Sequence, residues 1–331
     1  MEKINELNSI LQSFGIGAKC QDYREYKNAS IFDLSLKPGT RIGSIEKYLS
    51  EISLALKTSR PTLKILPESG IVQLEIVKSQ DRTISLFDIA NKHIRPKGKL
   101  SCLLGEKLNG SPLWMDIVSS PHTLIAGASG SGKTTLLHNL IANLLLFPNV
   151  NLFLFDPKNI EFHEYDNFLP SKLKVSFDYQ ECRSTLEELS SQMDRRYLLM
   201  KEFNITADYF PFIVLIIDEF ADLVSQDSDH TFIKLLTRLG QKSRSAGIHL
   251  ILSTQRPSID IVSGSIKTNF PARISCRVST GTDSRVILDN MGAEHLLGQG
   301  DCIINTTEYQ MERFQIALTS PNEIKQYYAS N

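Results

Sequence analysis

No stretch of this chain approaches the run of about 20 apolar residues that a helix needs to cross a bilayer. Residues 1 to 11 are polar and amphipathic, not a charged start followed by an apolar core. A secretory signal therefore has no support, and a cytoplasmic location is expected, with any membrane contact made through a partner protein. Cysteine is scarce: Cys20, Cys102, Cys182, Cys276 and Cys302 are far apart, with no C-x-x-C pair and no histidine at metal-ligand spacing. That argues against a disulfide framework or a zinc site and for small core residues in a reducing compartment. Neither sign of charge dominates, with 36 basic against 37 acidic residues and a net charge of −1. Coating of nucleic acid by bulk positive charge is thereby excluded, whereas a local basic track stays open. Internal repeats and low-complexity tracts are lacking too. What remains is 331 residues, 41% hydrophobic and 22% charged, an ordinary globular composition long enough for one large domain or two smaller ones.

Residues 2–14 place Ile4, Leu7, Ile10, Leu11 and Phe14 on one face, which predicts a short amphipathic helix ended by Gly15 and Gly17. A half-buried strand is predicted over 30–36, a helix over 45–56, and strands over 63–66 and 71–77. This small α+β module carries no chemical motif and reads as a scaffold or docking domain. The stretch KHIRPKGKL at 92–100 has the composition of a linker or exposed loop. We set the domain boundary there, with 1–96 as the small domain and 97–331 as the large one. A strand pair at 100–104 and 112–117 follows. Thereafter strands predicted at 122–127, 150–156, 212–217, 248–253 and 271–277 alternate with helices at 133–146, 180–203, 230–246 and 260–268. Such alternation implies an α/β fold with a mostly parallel central sheet covered on both faces.

The chemistry starts at GASGSGKTT. Gly127, Gly132, Lys133 and Thr134 satisfy G-x-x-x-x-G-K-[ST], between an apolar strand and a helix. In that context Gly127, Ala128, Ser129, Gly130, Ser131, Gly132, Lys133, Thr134 and Thr135 form a phosphate-binding loop for ATP. The glycines let backbone N–H groups turn inward, Lys133 reaches the β- and γ-phosphates, and the Thr134 hydroxyl ligates Mg²⁺. A second apolar run, 212–217, ends in Asp218 and Glu219. As a central strand emerging beside the loop, it gives Asp218 the metal-site role and Glu219 that of the base for an attacking water. A third run, 250–252, leads into Gln255, which either senses the γ-phosphate through the attacking water or marks a strand-end turn enforced by Pro257.

Several stretches together resemble the motor domain of the FtsK/SpoIIIE DNA translocases: DEFADL at 218–223, QKSRSAGIHLILSTQRPS at 241–258, DSRVILDNMGAEHLLGQGD at 283–301, Asp156-Pro157-Lys158, and MDRRY at 193–197. The resemblance covers roughly residues 97–318, and more weakly the N-terminal segment, which is similar to the family's small α domain. It implies a RecA-like P-loop ATPase forming a homohexameric ring around double-stranded DNA. It also makes Lys133, Glu219, Gln255 and Arg244 the catalytic set, Arg244 being inserted into a neighbouring subunit's site, with Arg238 as the competing finger. Arg256, Lys267 and Arg285 match the positions that contact the DNA backbone, contacts that carry no sequence information. Gly281 departs from the pattern, since a lysine is expected there in close relatives. A transmembrane N-terminus is not seen, and after about residue 328 there is no room for a winged-helix γ domain. The expectation is therefore a motor without anchor or sequence reader, with mobile-element transfer or DNA segregation as its setting. A coupling or pump ATPase of the conjugation and HerA groups, acting on single strands or protein, and a ring-forming recruitment platform are the rival readings.

Overall fold

In the computed structural model, residues 1–78 and 83–330 are described, and they divide into two compact units. The first comprises 1–83 together with 106–111. Its elements are α1 (Glu2–Ser13), β1 (Ala18–Glu25), β2 (Ala29–Leu36), α2 (Gly43–Glu46), α3 (Leu49–Leu56), β3 (Thr62–Leu66) and β4 (Ile71–Val77). The strands form an antiparallel sheet in the order β1-β2-β4-β3. Leu7 and Leu11, four apart on α1, join Phe32, Leu34, Ile45, Ile52 and Leu74 in a separate core. The sequence AKCQDYRE hid β1, because its polar residues stand on an edge strand with a bulge between Cys20 and Asp22.

The second unit comprises 84–105 and 112–331. It contains α4 (Leu86–Lys92), β5 (Ser101–Lys107), β6 (Pro112–Asp116), β7 (His122–Ala126), α5 (Lys133–Leu145), β8 (Val150–Phe155), β9 (Leu173–Ser176), α6 (Tyr179–Phe203) and β10 (Phe212–Ile217). Then come α7 (Phe220–Gln226), α8 (Thr231–Lys242), β11 (Ile248–Thr254), α9 (Gly264–Asn269), β12 (Ala272–Cys276), α10 (Gly281–Leu288), β13 (Asp301–Asn305), β14 (Glu312–Ile316) and α11 (Pro321–Ser330). Ten strands run in the order β6-β5-β14-β13-β12-β7-β11-β10-β8-β9. From β12 to β9 every pairing is parallel, whereas β13 and β14 are antiparallel additions.

Strand alternation sorts the core into two layers. Leu124, Leu215, Ile217, Leu250 and Leu252 face one way, toward α6, α8 and α10. Ile125, Val214, Ile216 and Ile251 face the other way, toward Leu136, Leu137, Leu140 and Ile141 of α5. Because both faces are covered, these central strands read as continuous apolar runs. All five cysteines are free and buried. Three histidines are buried as well, His122 on β7, His138 on α5 and His249 on β11.

The unit boundary falls earlier than the 96/97 division taken from composition. Residues 84–96 go with the large unit because Leu86 and Ile89 of α4 enter its core and Ser85 bridges to Leu318. Composition marked the exposed loop after α4, not the break in packing. The helix predicted over 230–246 ends at Lys242 and continues as a tight 3₁₀ turn, Ser243–Ala246, closed by Gly247 at φ 71°.

Candidate nucleotide site

The loop between β7 and α5 is shaped by close approaches. At Gly132, φ is 107°, and a Cβ would meet the backbone N of Gly300 at 2.6 Å. At Gly127 a Cβ would lie 2.5 Å from Ser131 Oγ and 2.7 Å from Cys276 Cβ. The loop is also pinned from outside: Ala128 N–H donates to Arg277 O (2.8 Å) and Gly300 N–H donates to Ser131 O (2.8 Å). The N–H groups of Ser129, Gly130, Gly132, Lys133, Thr134 and Thr135 find no acceptor among the described residues. The buried Ser131 Oγ has no partner either. An arc of free donors at the N-terminus of a 13-residue helix fits a polyphosphate, where the helix dipole adds to the attraction. Thr134, partly exposed on the first turn, makes no side-chain bond among the described residues, so its hydroxyl lone pairs are open to a cation.

Tips of three adjacent parallel strands converge on this loop. Lys133, 4% exposed, forms an ion pair with Asp218 and donates to Ser253 Oγ at 2.8 Å. Asp218, just past β10, is held by its N–H on Phe155 O (2.9 Å), and both Lys133 and Ser253 meet its Oδ1. Two buried opposite charges of this kind each offset the other's desolvation. Glu219 is the next residue, buried, with a left-handed backbone at φ 49° and ψ 60°. Its Oε1 accepts from Thr254 Oγ1 (2.7 Å) and its Oε2 from Gln255 N–H (3.0 Å). Lys158 Nζ lies 3.8 Å from Glu219 Oε2 and 3.3 Å from Asp222 Oδ2. Lys133, Asp218 and Glu219 are thus brought together. Gln255 meets them through its backbone N–H, while its side chain makes no bond among the described residues. Ser253 and Thr254 were missed in the sequence, where Ser253 reads as the end of the strand predicted over 248–253 and Thr254 as the residue leading into Gln255.

A family model for FtsK/SpoIIIE matches residues 89–208 and 205–259, just over half of the chain and all of the strand tips above. The chain belongs to the FtsK/SpoIIIE family. It is 32% identical over 351 residues to the DNA translocase FtsK of Streptococcus pneumoniae, and 32% identical over 350 residues to that of Lactococcus lactis subsp. cremoris. Each match takes in 98% of this chain but only 45% and 46% of those proteins, so the chain spans about half the length of these relatives. Among solved structures it is similar to the pCW3 conjugation coupling protein TcpA with ATPγS, at TM-score 0.68 and 21% identity, over 99% of this chain and 100% of that one. It is also similar to the cytoplasmic domain of the Thermomonospora curvata type VII secretion ATPase EccC, at TM-score 0.62 and 23% identity, over 74% and 34%. These likenesses are of fold: they bear out an α/β, RecA-like P-loop architecture with a mostly parallel central sheet.

The other segments that resemble FtsK/SpoIIIE motifs lie elsewhere in the same unit. Arg244 sits on the 3₁₀ turn before β11, at the end of that strand opposite the phosphate loop. Its side chain is exposed, makes no bond or ion pair among the described residues, and shares a cleft of about 490 Å³ with Lys97, Lys99 and Asp116. The MDRRY stretch supports this turn. Arg196 donates to Ala246 O (2.7 Å) and Pro211 O (2.8 Å), and burial lowers its pKa to about 10. Arg238 is engaged within the chain instead: its Nη2 donates to both carboxylate oxygens of Asp194 (2.7 and 2.9 Å) and its Nη1 to Ser190 Oγ.

The three candidate DNA contacts lie on different elements. Arg256 is exposed beyond the tip of β11, and its side chain makes no bond among the described residues. Lys267 on α9 pairs with Asp289 (2.5 Å), which Arg273 also engages. Arg285 on α10 is exposed and donates to Met291 Sδ at 3.1 Å. Gly281 opens α10, and a side chain there would displace the Met291 methyl, 2.7 Å from the Cβ position.

Proposed function

We propose that this chain is an ATP-driven translocase of double-stranded DNA that works as a ring of identical copies. The observation that carries the reading is the meeting of Lys133, Asp218 and Glu219 at adjacent strand tips in an FtsK/SpoIIIE chain. Alongside it, an unpaired Arg244 stands at the far end of the same sheet. Bound ATP with Mg²⁺ would supply the phosphoanhydride and the cation that spreads its charge. The free N–H groups of Ser129, Gly130 and Gly132 to Thr135 would donate to its phosphates, and Lys133 Nζ would leave Asp218 to meet them. Thr134 Oγ1 and the Asp218 carboxylate would hold the cation and its water shell. Glu219 takes the proton of the attacking water on a carboxylate oxygen, and Gln255 orients that water. Arg244 enters a neighbour's site and stabilises charge there, which makes turnover depend on assembly. Arg256 and Arg285, exposed on loop and helix, contact DNA phosphates. Lys267 contributes less, because Asp289 already offsets its charge. The small unit serves as a scaffold or docking module, and recruitment to a membrane or a transfer machinery is the task of a partner protein.

ATPase rates with double-stranded, single-stranded and no DNA test this reading, together with displacement of a third strand from a triplex. Double-stranded DNA should stimulate most, and a rate indifferent to all DNA would refute the proposal. The second reading, a coupling ATPase working on single strands, is favoured by the end-to-end coverage of the conjugation coupling protein's fold. Stronger stimulation by single strands would select it.

A further inference from the structure

Glu219 combines its place in the site with a backbone that its residue type disfavours. A left-handed conformation costs a residue with a Cβ roughly 1–2 kcal/mol, so tertiary bonds must hold it at φ 49°. Those bonds come from the strand ends on either side of β10. Thr254 is fully buried, and its hydroxyl has two neighbours: Arg256 N–H donates to Oγ1 at 3.0 Å, and Glu219 Oε1 lies 2.7 Å away. A hydroxyl has one proton, and Arg256 N–H occupies an acceptor position, so that proton is committed to Glu219. From the other flank, Lys158 stands between Glu219 and Asp222. Its turn is fixed by buried Asp156, whose Oδ2 accepts from the N–H groups of Ile160, Glu161 and Phe162 at 2.8–2.9 Å.

We propose that Thr254, with Lys158 as a second support, is the positioning residue that sets the Glu219 carboxylate for its water. The proposal rests on Glu219 being the base. Its core is that the hydroxyl, not the shape, of Thr254 matters. Thr254→Val keeps the shape and removes the proton. It should lower DNA-stimulated kcat by about 10- to 100-fold, the scale of a misplaced catalytic group, with KM for ATP and ATPγS affinity within about two-fold of wild type. Thr254→Ser should restore most of the rate. Lys158→Met should slow turnover by a smaller factor, and Lys158→Arg should recover it. Wild-type turnover in Thr254→Val would overturn the proposal, as would equal losses in the Val and Ser variants. Should Thr254→Val fail to fold, Thr254→Ala against Thr254→Ser makes the same comparison. If Glu219→Gln turns over normally, the reading of Glu219 itself falls; if Glu219→Gln is inactive while Thr254→Val is normal, only the positioning role falls.

Discussion

Replacing Arg244 by alanine should leave the fold as stable as before while removing turnover from the neighbouring copy's site. The reasoning is geometric. β11 has seven residues, Ile248–Thr254, all buried, and at about 3.3 Å per residue it separates the Arg244 turn from the Glu219 tether by roughly 20 Å. That is several times the length of an arginine side chain, so Arg244 cannot fold back into its own site. Because its exposed side chain makes no bond among the described residues, the loss of that side chain should change stability by no more than about 0.5 kcal/mol. Arg238→Ala is the control. It breaks a half-exposed ion pair with Asp194, which screening limits to about 1 kcal/mol, and it should leave the ATPase rate intact. The decisive assay mixes Arg244→Ala with Glu219→Gln, each inactive alone. In randomly assembled rings roughly a quarter of the head-to-tail interfaces join an intact Glu219 to an intact Arg244, so up to about a quarter of the rate should return. Full activity of Arg244→Ala alone would refute the reasoning, and so would silence in mixtures shown by cross-linking to contain both variants.

Other outcomes follow from the buried groups. Lys133→Ala leaves Asp218 buried with Ser253 as its remaining polar contact, and nucleotide-free protein should lose about 3–5 kcal/mol in urea denaturation; adding Asp218→Asn should recover part of that. Gly132→Ala forces a side chain against Gly300 at a left-handed φ, so ATPγS affinity should fall at least ten-fold in a fluorescence titration while Gly130→Ala, which points into open space, does less harm. Burial lowers the pKa of His122 to about 3 and those of His138 and His249 to about 4. The unfolded chain therefore binds more protons between these values and about 6.5. Stability should be unaffected by these groups above pH 6.5 and fall as pH drops toward 4, by up to about 1.4 kcal/mol per pH unit for each histidine. His122→Asn, able to accept the Leu250 N–H now bonded to His122 Nδ1, should flatten that slope by about one proton in pH-dependent urea titrations.

Much of the large unit was legible because its central strands are apolar on both faces and its loop and acids sit at strand ends. Runs such as 212–217 and 250–252 announced buried parallel strands, and each tip landed where the alternation of strands and helices places it. The silent features share a different cause. Thr254 gains its meaning only from Glu219, a strand away, and Ser253 only from Lys133; neither pairing leaves a local pattern. β13 and β14 are antiparallel additions that an alternating strand-helix pattern does not anticipate. The split between Arg238 and Arg244 was equally hidden, since both lie on one amphipathic stretch and only tertiary packing gives Arg238 an acid and leaves Arg244 without one.

The approach of Gly300 to the phosphate loop has a practical meaning for where function resides along the chain. The curve that cradles a polyphosphate is finished by a backbone N–H supplied from just before β13, with Arg277 O and the Cys276 side chain as further stops. A fragment ending near residue 290 would keep every motif residue from Gly127 to Gln255 and still lack the wall against which Ser131 and Gly132 are set. The phosphate loop is therefore finished late during synthesis, so a nascent or clipped chain would lack its final shape until the last strands had docked.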